Sequence, residues 1–509
     1  MKHLLVIFTA ILVTSATAQQ TVGVFKHDVA QTSQGYTLFA PVASKSTYLI
    51  DNDGQVVHSW TSQNIPGLSA MLLPDGSLLR TGNPLVQTMG GGGAGGIIER
   101  RSWDNELLWR YERIGPTYRT HHDVEIMPNG NVLLLEWQRY TRAEAIARGR
   151  DPKRLLDSMI YSERIIEVRP TGPTTGEIVW SWSAWDNLIQ DFDETKLFYG
   201  VISEHPEKLN INTGDLRTDW LHFNSVRYSP ERDEILVSVH NLDEVIVISR
   251  ATGSIVYRWG NPSNYKIGAP SARKFFGQHD ARWTDSSGTR ITVFNNGIGR
   301  TASLFTDYST LDEIEVPRSL DGTYAKRANG SYGPDTISWT YPRTPDTSFF
   351  AINISGAYRL PNGNTLACVG PDGIFSEITQ ELHEVWRYVN PVGDTGAVRQ
   401  GVIPRNNLVF KITRYGPDYP AFVGRSLIPQ GRLEDGPLVG IEEIFRQSNP
   451  IFTSLNILSR KVTISIPENS HVVLSAYDLA GRWLGVVVDE DLSSGSHVRD
   501  VPYGTYLIR

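Results

Sequence analysis

The 509-residue chain carries 48 Lys and Arg against 55 Asp and Glu, for a formal net charge of −7, with 40% hydrophobic and 10% aromatic residues. This mildly acidic balance excludes a nucleic-acid partner recruited by a basic surface. The single cysteine, Cys368, excludes an internal disulfide, so the fold must hold through its core.

The first residues read as an address. Met1-Lys2-His3 precedes the apolar run from Leu4 to Val13, then the small-residue site Ala16-Thr17-Ala18. A basic start, a short apolar core and an A-x-A pattern predict a secretory signal peptide over residues 1–18. The run is too short to span a bilayer, and no other stretch is long enough, so no integral membrane segment is expected. No cysteine follows the cleavage site to carry a lipid. The chain is therefore expected outside the cytoplasm, in the periplasm, on the cell surface or secreted.

Glycine (45), proline (28) and tryptophan (13) are plentiful, which favours an all-β chain. Short apolar strands run into the turns Leu73-Pro74-Asp75-Gly76, Met127-Pro128-Asn129-Gly130, Ser229-Pro230, Thr284-Asp285 and Leu360-Pro361-Asn362-Gly363. Later strands end in tryptophan at Trp60, Trp109, Trp180 with Trp182, Trp259, Trp339 and Trp386. These units, six in number and roughly 50 to 80 residues long, predict a six-bladed β-propeller over residues 19–440. The first unit shows outer strands with no inner strand before them, and an inner strand near Leu408-Val409-Phe410 has no outer strands after it. Pairing the two ends closes the ring.

Three inserts interrupt the period. Residues 139–163 are charged and read as helical, 184–218 are mixed, and 316–337 are rich in glycine and charge; all three are expected to cover one mouth of the channel. The run from Gly90 to Gly96 has neither a Walker lysine-serine nor a strand-to-helix setting, and reads as a flexible loop rather than a nucleotide site.

From about residue 441 a separate module begins. Its strands, Lys461 to Ile466, Val472 to Arg482 and Tyr503 to Arg509, predict a small β-sandwich over residues 441–509. The segments Tyr477-Asp478-Leu479-Ala480-Gly481-Arg482 and Gly504-Thr505-Tyr506-Leu507-Ile508-Arg509 resemble the C-terminal sorting domain of the Bacteroidetes-type (type IX) secretion system. That resemblance implies the secretion machinery as a partner. An ordinary spacer or carbohydrate-binding sandwich is the alternative.

Aligned on their turns, the inner strands share a register. His122, Asn224 and His279 each lie six residues before the turn position at Pro128, Pro230 and Asp285. Equivalent positions at the start of inner strands converge at one mouth of a propeller, where ligands bind. His222 lies two residues before Asn224, which by strand period puts both on one face. His240 ends the next strand of that blade. His121, beside His122, should point the other way and serve structure. A metal is a competing use of three histidines, but no carboxylate in register completes a ligand set, since in His122-Asp123 and His279-Asp280 the neighbours diverge along a strand. No metal or organic cofactor is therefore expected.

Residues Thr120 to Asn131, Asp219 to Val226, Ile235 to Ile248 and Gly277 to Arg282 together resemble the bacterial aryl-sulfate sulfotransferase family. The resemblance runs from about residue 35 to 424. It implies a six-bladed propeller that transfers a sulfuryl group from a phenolic sulfate donor to a phenolic acceptor through a transient sulfohistidine. Carried onto this chain, His279 is the nucleophile, and His122, His222 and Asn224 hold the sulfate oxygens or shuttle the proton. Arg282 joins Asn224 and His240 as a substrate-binding candidate. His240 stands where well-known members have an arginine, so charge stabilisation there depends on protonation. The N-terminal β-sandwich and disulfide of some members are missing, which leaves the oligomer open. The competing functions are a hydrolase or lyase acting on sulfated or uronic polysaccharide, and a binding propeller without catalysis.

Overall fold

The computed structural model describes residues 20–86, 88–435, 452–456, 461–466, 469–477, 483–500 and 507–508. The expected signal peptide lies outside these residues. Among the described residues, no helix is long and apolar enough to cross a membrane.

Six antiparallel sheets form the propeller. Blade 1 pairs the inner strand Val409–Tyr415 with Tyr36–Pro41, Ser46–Ile50 and Val56–Thr61. Blade 2 runs outward through Ile65–Leu72, Leu78–Asn83, Ile97–Arg101 and Leu107–Glu112. Blade 3 holds Tyr118–Ile126, Val132–Thr141, Met159–Gly172 and Thr175–Ser183. Blade 4 holds Phe223–Ser229, Glu234–Val239, Glu244–Ser249 and Ile255–Trp259. Blade 5 holds His279–Trp283, Arg290–Asn295, Thr310–Glu315 and Trp339–Tyr341. Blade 6 holds Gly356–Arg359, Thr365–Val369, Ile374–Ile378 and Glu384–Val389.

The ring is clasped twice. The C-terminal strand Val409–Tyr415 completes blade 1, as the orphaned outer strands of the first unit require. In addition, Gly23–His27 pairs with Glu384–Val389 as a fifth strand on the outside of blade 6, a strand that sequence reading missed. Separating the first and last blades therefore breaks two ladders of backbone hydrogen bonds.

The tryptophans that mark each unit explain the blade-to-blade packing. Each sits on an outer strand and donates its indole N–H to a backbone carbonyl of the next blade, in the turn between that blade's third and fourth strands. Trp60 reaches Ser102, Trp109 reaches Thr175, Trp182 reaches Gly253, Trp259 reaches Pro334, Trp339 reaches Gln380 and Trp386 reaches Asn52, at 2.7–3.0 Å. The last bond returns to blade 1 and closes the circle. Large apolar rings that also satisfy a buried carbonyl suit these seams.

Along the axis the inner strands depart from regular pleating. Register shifts fall between Pro66 and Ala70, between His121 and Val124, between Phe223 and Ser225, and between His279 and Arg282. Beside or within each shift one non-glycine residue has positive φ: Leu68 (91°), His122 (49°), His222 (55°) and Asp280 (53°). A bulge of this kind re-aims side chains and cancels strict alternation, so neighbours that should diverge can both face the channel. Such strain concentrates where function over-determines the backbone.

The inserts divide. Residues 142–158, between the second and third strands of blade 3, contain only the six-residue helix Arg142–Ala147 and a short 3-10 turn, because long strands take up both flanks. Residues 184–222, between blades 3 and 4, lie with them on the side where inner strands begin. The third insert corrects the expectation: it packs along the outer edge of blade 4. Tyr324 donates to Glu234, and Tyr257 and Trp259 donate to the carbonyls of Gly333 and Pro334.

Near the C-terminus, Phe452–Asn456, Lys461–Ile466 and Gly495–Asp500 form one three-stranded sheet. Trp483–Leu492, Ser470–Tyr477 and Leu507–Ile508 form another. Val462, Ile464, Val472, Leu474, Val488 and Leu492 make a common apolar cluster. Of the two sorting-type motifs, residues 478–482, 504–506 and 509 lie outside the described residues.

Candidate active site

Four imidazoles from three successive blades meet at the mouth where inner strands begin. The ring centres of His122 and His222 are 4.6 Å apart, those of His222 and His240 5.2 Å, and those of His240 and His279 5.0 Å, all edge to face. Phe410, on the clasp strand, stands 6.0 Å from His122 and 6.3 Å from His279 and completes the circle.

Each ring is held through Nδ1. His122 Nδ1 lies 2.8 Å from His121 Nδ1, and His222 Nδ1 lies 2.5 Å from Asp219 Oδ2. His240 Nδ1 meets Asn241 Oδ1 at 2.8 Å, and His279 Nδ1 meets Asn296 Oδ1 at 2.8 Å. The Asn296 amide is itself fixed, because its Nδ2 donates to the carbonyls of Ala351 and Ile354. Its oxygen must therefore face His279, which makes Nδ1 the protonated nitrogen and leaves a lone pair on Nε2. Asn241 repeats the device for His240, since its Nδ2 donates to the Asp219 carbonyl.

Burial sets the charge state. The residues His122 and His279 are 2% exposed and His240 is 9% exposed. Desolvation, followed by repulsion from the neighbouring imidazoles, holds His122 and His279 well below the ordinary histidine pKa and His240 at about 4. These three rings are neutral at pH 7. Part of the cover is the Gly90–Gly96 run, which is docked rather than loose. The Gly93 carbonyl accepts the His122 N–H at 2.8 Å, and a Cβ on Gly93 would stand 2.2 Å from the His122 ring.

Below the imidazoles the channel is floored by charge. Asp123 is wholly buried and accepts from Ser69, Arg227 and Lys411 at 2.8, 2.7 and 2.5 Å. Asp280 accepts from Arg227 at 3.0 Å and Arg282 at 2.9 Å. The aspartates of the two His-Asp pairs thus turn into the channel and tie five blades together. Arg227 and Lys411 hold the Asp123 carboxyl well below the usual carboxylate range despite its burial.

A family model for arylsulfotransferases (ASST) matches residues 21–313, a span that contains all four imidazoles. The chain belongs to the arylsulfotransferase family. Its members are sulfotransferase enzymes, as the motifs around His122, His222 and His279 imply. No curated protein sequence matches the chain. Among solved structures, a Bacteroides caccae protein of unknown function is 12% identical at a TM-score of 0.41, covering 75% of this chain and 99% of that one. A virginiamycin B lyase from Staphylococcus aureus is 10% identical at 0.36, covering 75% and 88%. The periplasmic gluconolactonase PpgL of Pseudomonas aeruginosa is 14% identical at 0.35, covering 92% and 100%.

In this arylsulfotransferase the rings of the candidates His122, His222, His240 and His279 come together, while the side chains of Asn224 and Arg282 are engaged by partners around them. The Asn224 amide bridges inner strands, donating to the Gln278 carbonyl at 2.8 Å and accepting from the Asp280 N–H at 3.3 Å. Positive φ at His222 and the shift after Phe223 undo the alternation that would put His222 and Asn224 on one face. Arg282 is engaged by Asp280 and lies over the Tyr358 ring in the charged floor. Nor does His121 point away, because the bulge at His122 brings the two rings nitrogen to nitrogen. Sequence reading missed the roles of Asn296, Asn241, Asp219 and Glu163, of which Asn296 and Glu163 reach the imidazole set only through the fold. The other two carried a local signal, Asp219 three residues before His222 and Asn241 directly after His240. Among the described residues no three His, Cys, Asp or Glu side chains are arranged to hold a metal ion.

Proposed function

We propose that this arylsulfotransferase moves a sulfuryl group from a phenolic sulfate ester to a phenolic acceptor in two half-reactions, with His279 as the carrier and no nucleotide-activated donor. The observation that carries this reading is the fixed tautomer of His279: its Nδ1 proton is committed to Asn296, so a neutral ring offers the Nε2 lone pair. In the first half-reaction His279 Nε2 bonds to sulfur as the sulfur–aryl oxygen bond breaks and the phenol leaves. In the second, the acceptor phenol loses its proton, its oxygen attacks sulfur, and the N–S bond breaks. Sulfuryl transfer, like phosphoryl transfer, needs in-line positioning and donors on the equatorial oxygens more than covalent assistance. His222 and His240 flank those oxygens, and His122 moves the phenolic proton. Asn224 and Arg282 support this set by holding the inner strands in place.

Export of the enzyme is part of the same proposal. It rests on the signal-peptide pattern of residues 1–18 and on the sorting-type motifs, and it makes the secretion machinery a partner.

Incubation with a chromogenic aryl sulfate, without acceptor, should add about 80 Da to the intact protein as an acid-labile adduct, the mass of the transferred group. The adduct should be absent from His279→Asn, and product should accumulate only when a phenol is added. Full transfer by His279→Asn, or steady turnover without an acceptor, overturns the assignment.

A further inference from the structure

Behind His122 lies a line of groups that the transfer scheme above does not use. His121 Nε2 is 2.9 Å from Glu163 Oε2, and His121 Nδ1 is 2.8 Å from His122 Nδ1. All three side chains are buried, and His121 is stacked on Trp137 with ring centres 4.3 Å apart and planes within 10°. The other Glu163 oxygen accepts the Phe223 N–H at 2.9 Å. Oε2 is the oxygen that meets the histidine.

Two nitrogens 2.8 Å apart need one proton between them: two lone pairs repel, and so do two N–H groups. That condition locks the three proton positions together. Either Glu163 is protonated and donates to His121, which donates to His122, leaving His122 with N–H at Nε2. Or Glu163 is ionised, every proton is shifted one place along, and His122 carries a lone pair at Nε2. We propose that Glu163, His121 and His122 form a proton relay, in which Glu163 lends its proton toward the leaving phenolate in the first half-reaction, recovers one from the acceptor phenol in the second, and so sets the donor or acceptor state of His122. Resting on the phenol-to-phenol reading, the relay names the groups that serve its acid–base half.

The steps balance. As the sulfur–aryl oxygen bond breaks, His122 Nε2–H protonates the leaving phenolate. His122 Nδ1 takes the His121 Nδ1 proton, and His121 Nε2 takes the Glu163 proton, leaving a carboxylate. The acceptor phenol later gives its proton to His122 Nε2, the shifts reverse, and Glu163 is protonated again as the acceptor oxygen attacks sulfur. Burial and the nearby Asp219 carboxylate raise Glu163 well above the ordinary carboxyl range, which favours the proton-bearing resting form. The charged or titratable groups around the relay are Asp219 and His222 from the segment entering blade 4, and Glu136 from blade 3. His222, His240 and His279 face His122 itself.

Glu163 and His121 are positioning residues, so the test compares donors that need a proton with donors that do not. Single-turnover phenol release is measured for 4-nitrophenyl sulfate and phenyl sulfate in the wild type, Glu163→Gln and His121→Asn. The nitrophenolate leaves unaided, whereas phenolate needs the acid. The wild type should show a modest rate ratio between the two donors, and both variants should widen it about 100-fold, the usual weight of a general acid. The ratio is internal to each preparation, so partial misfolding does not change it. An unchanged ratio in either variant overturns the relay and leaves His279 transfer standing. A wild type that forms no adduct on His279 sinks the transfer reading and the relay together.

Discussion

Asn296 Oδ1 lies 2.8 Å from His279 Nδ1, and the amide is turned by two carbonyls that accept from its nitrogen. The nucleophile's tautomer is therefore set by the residue that directly follows the next strand of its own blade. Removing the acceptor with Asn296→Ala leaves only the longer contact to the Gly277 carbonyl at 3.2 Å. Adduct formation should slow roughly tenfold or more, with a small change in KM, because orientation is lost and binding is not. Asn296→Asp restores an acceptor but adds charge, which raises the His279 pKa and protonates Nε2 at low pH. Its pH–rate profile should move to higher pH. Rapid-quench measurement of the adduct across pH 5–9 reads both effects.

At His240 the anchoring by Asn241 leaves a lone pair on Nε2, and a pKa of about 4 keeps the ring neutral. A neutral acceptor does little for a sulfate oxygen, so this position assists only when the ring is protonated with the anion bound. An arginine is cationic across the whole pH range. His240→Arg should therefore raise kcat/KM for an aryl sulfate, by about tenfold at pH 8. The gain should shrink as pH falls and wild-type His240 takes up its proton. A gain independent of pH between 5 and 8 counts against this account.

Much of the frame is readable from residues because it rests on local chemistry. The Pro-Asn-Gly turns and the terminal tryptophans each serve one repeated contact, so the blade count and the ring closure follow from them. The fifth strand of blade 6 escaped because Gly23–His27 has a mixed pattern, buried only at Gly23 and half-buried or exposed beyond it. At the mouth, alignment on the turns brought the right histidines to one end. What it could not supply is the backbone between His and turn. Period two fails wherever an inner strand bulges, and it fails at His122, His222 and Asp280 in turn. At the bulges Asn224 bonds across to the Gln278 carbonyl, and His121 meets His122 at hydrogen-bonding distance, neither of which strict alternation predicts. Groups such as Asn296 and Glu163 lie 17 and 42 residues from the histidines they serve, a separation that only the sheet pairing resolves.

Holding imidazoles neutral has a cost at low pH. A histidine whose pKa is lowered by folding binds protons more readily when unfolded, so its share of stability is complete above about 6.5 and is lost as pH falls toward the folded value. For His240 that window runs from 6.5 down to about 4, and for His121 from 6.5 to about 3. Glu125 acts in the opposite sense. Burial raises it to about 7, so its contribution is full below about 4.5 and is lost as pH rises. The two effects overlap between pH 4.5 and 6.5, and the whole protein's acid curve does not isolate either. A difference does. The stability of wild type minus that of His240→Gln, from urea unfolding followed by tryptophan fluorescence, should be constant from pH 8 to about 6.5. It should then fall by about 3 kcal/mol by pH 4, the size expected for one imidazole depressed from 6.5 to about 4. A difference that stays flat through this range would mean that His240 is no harder to protonate in the folded chain than in the unfolded one, and the neutral cluster at the channel mouth would have to be redrawn.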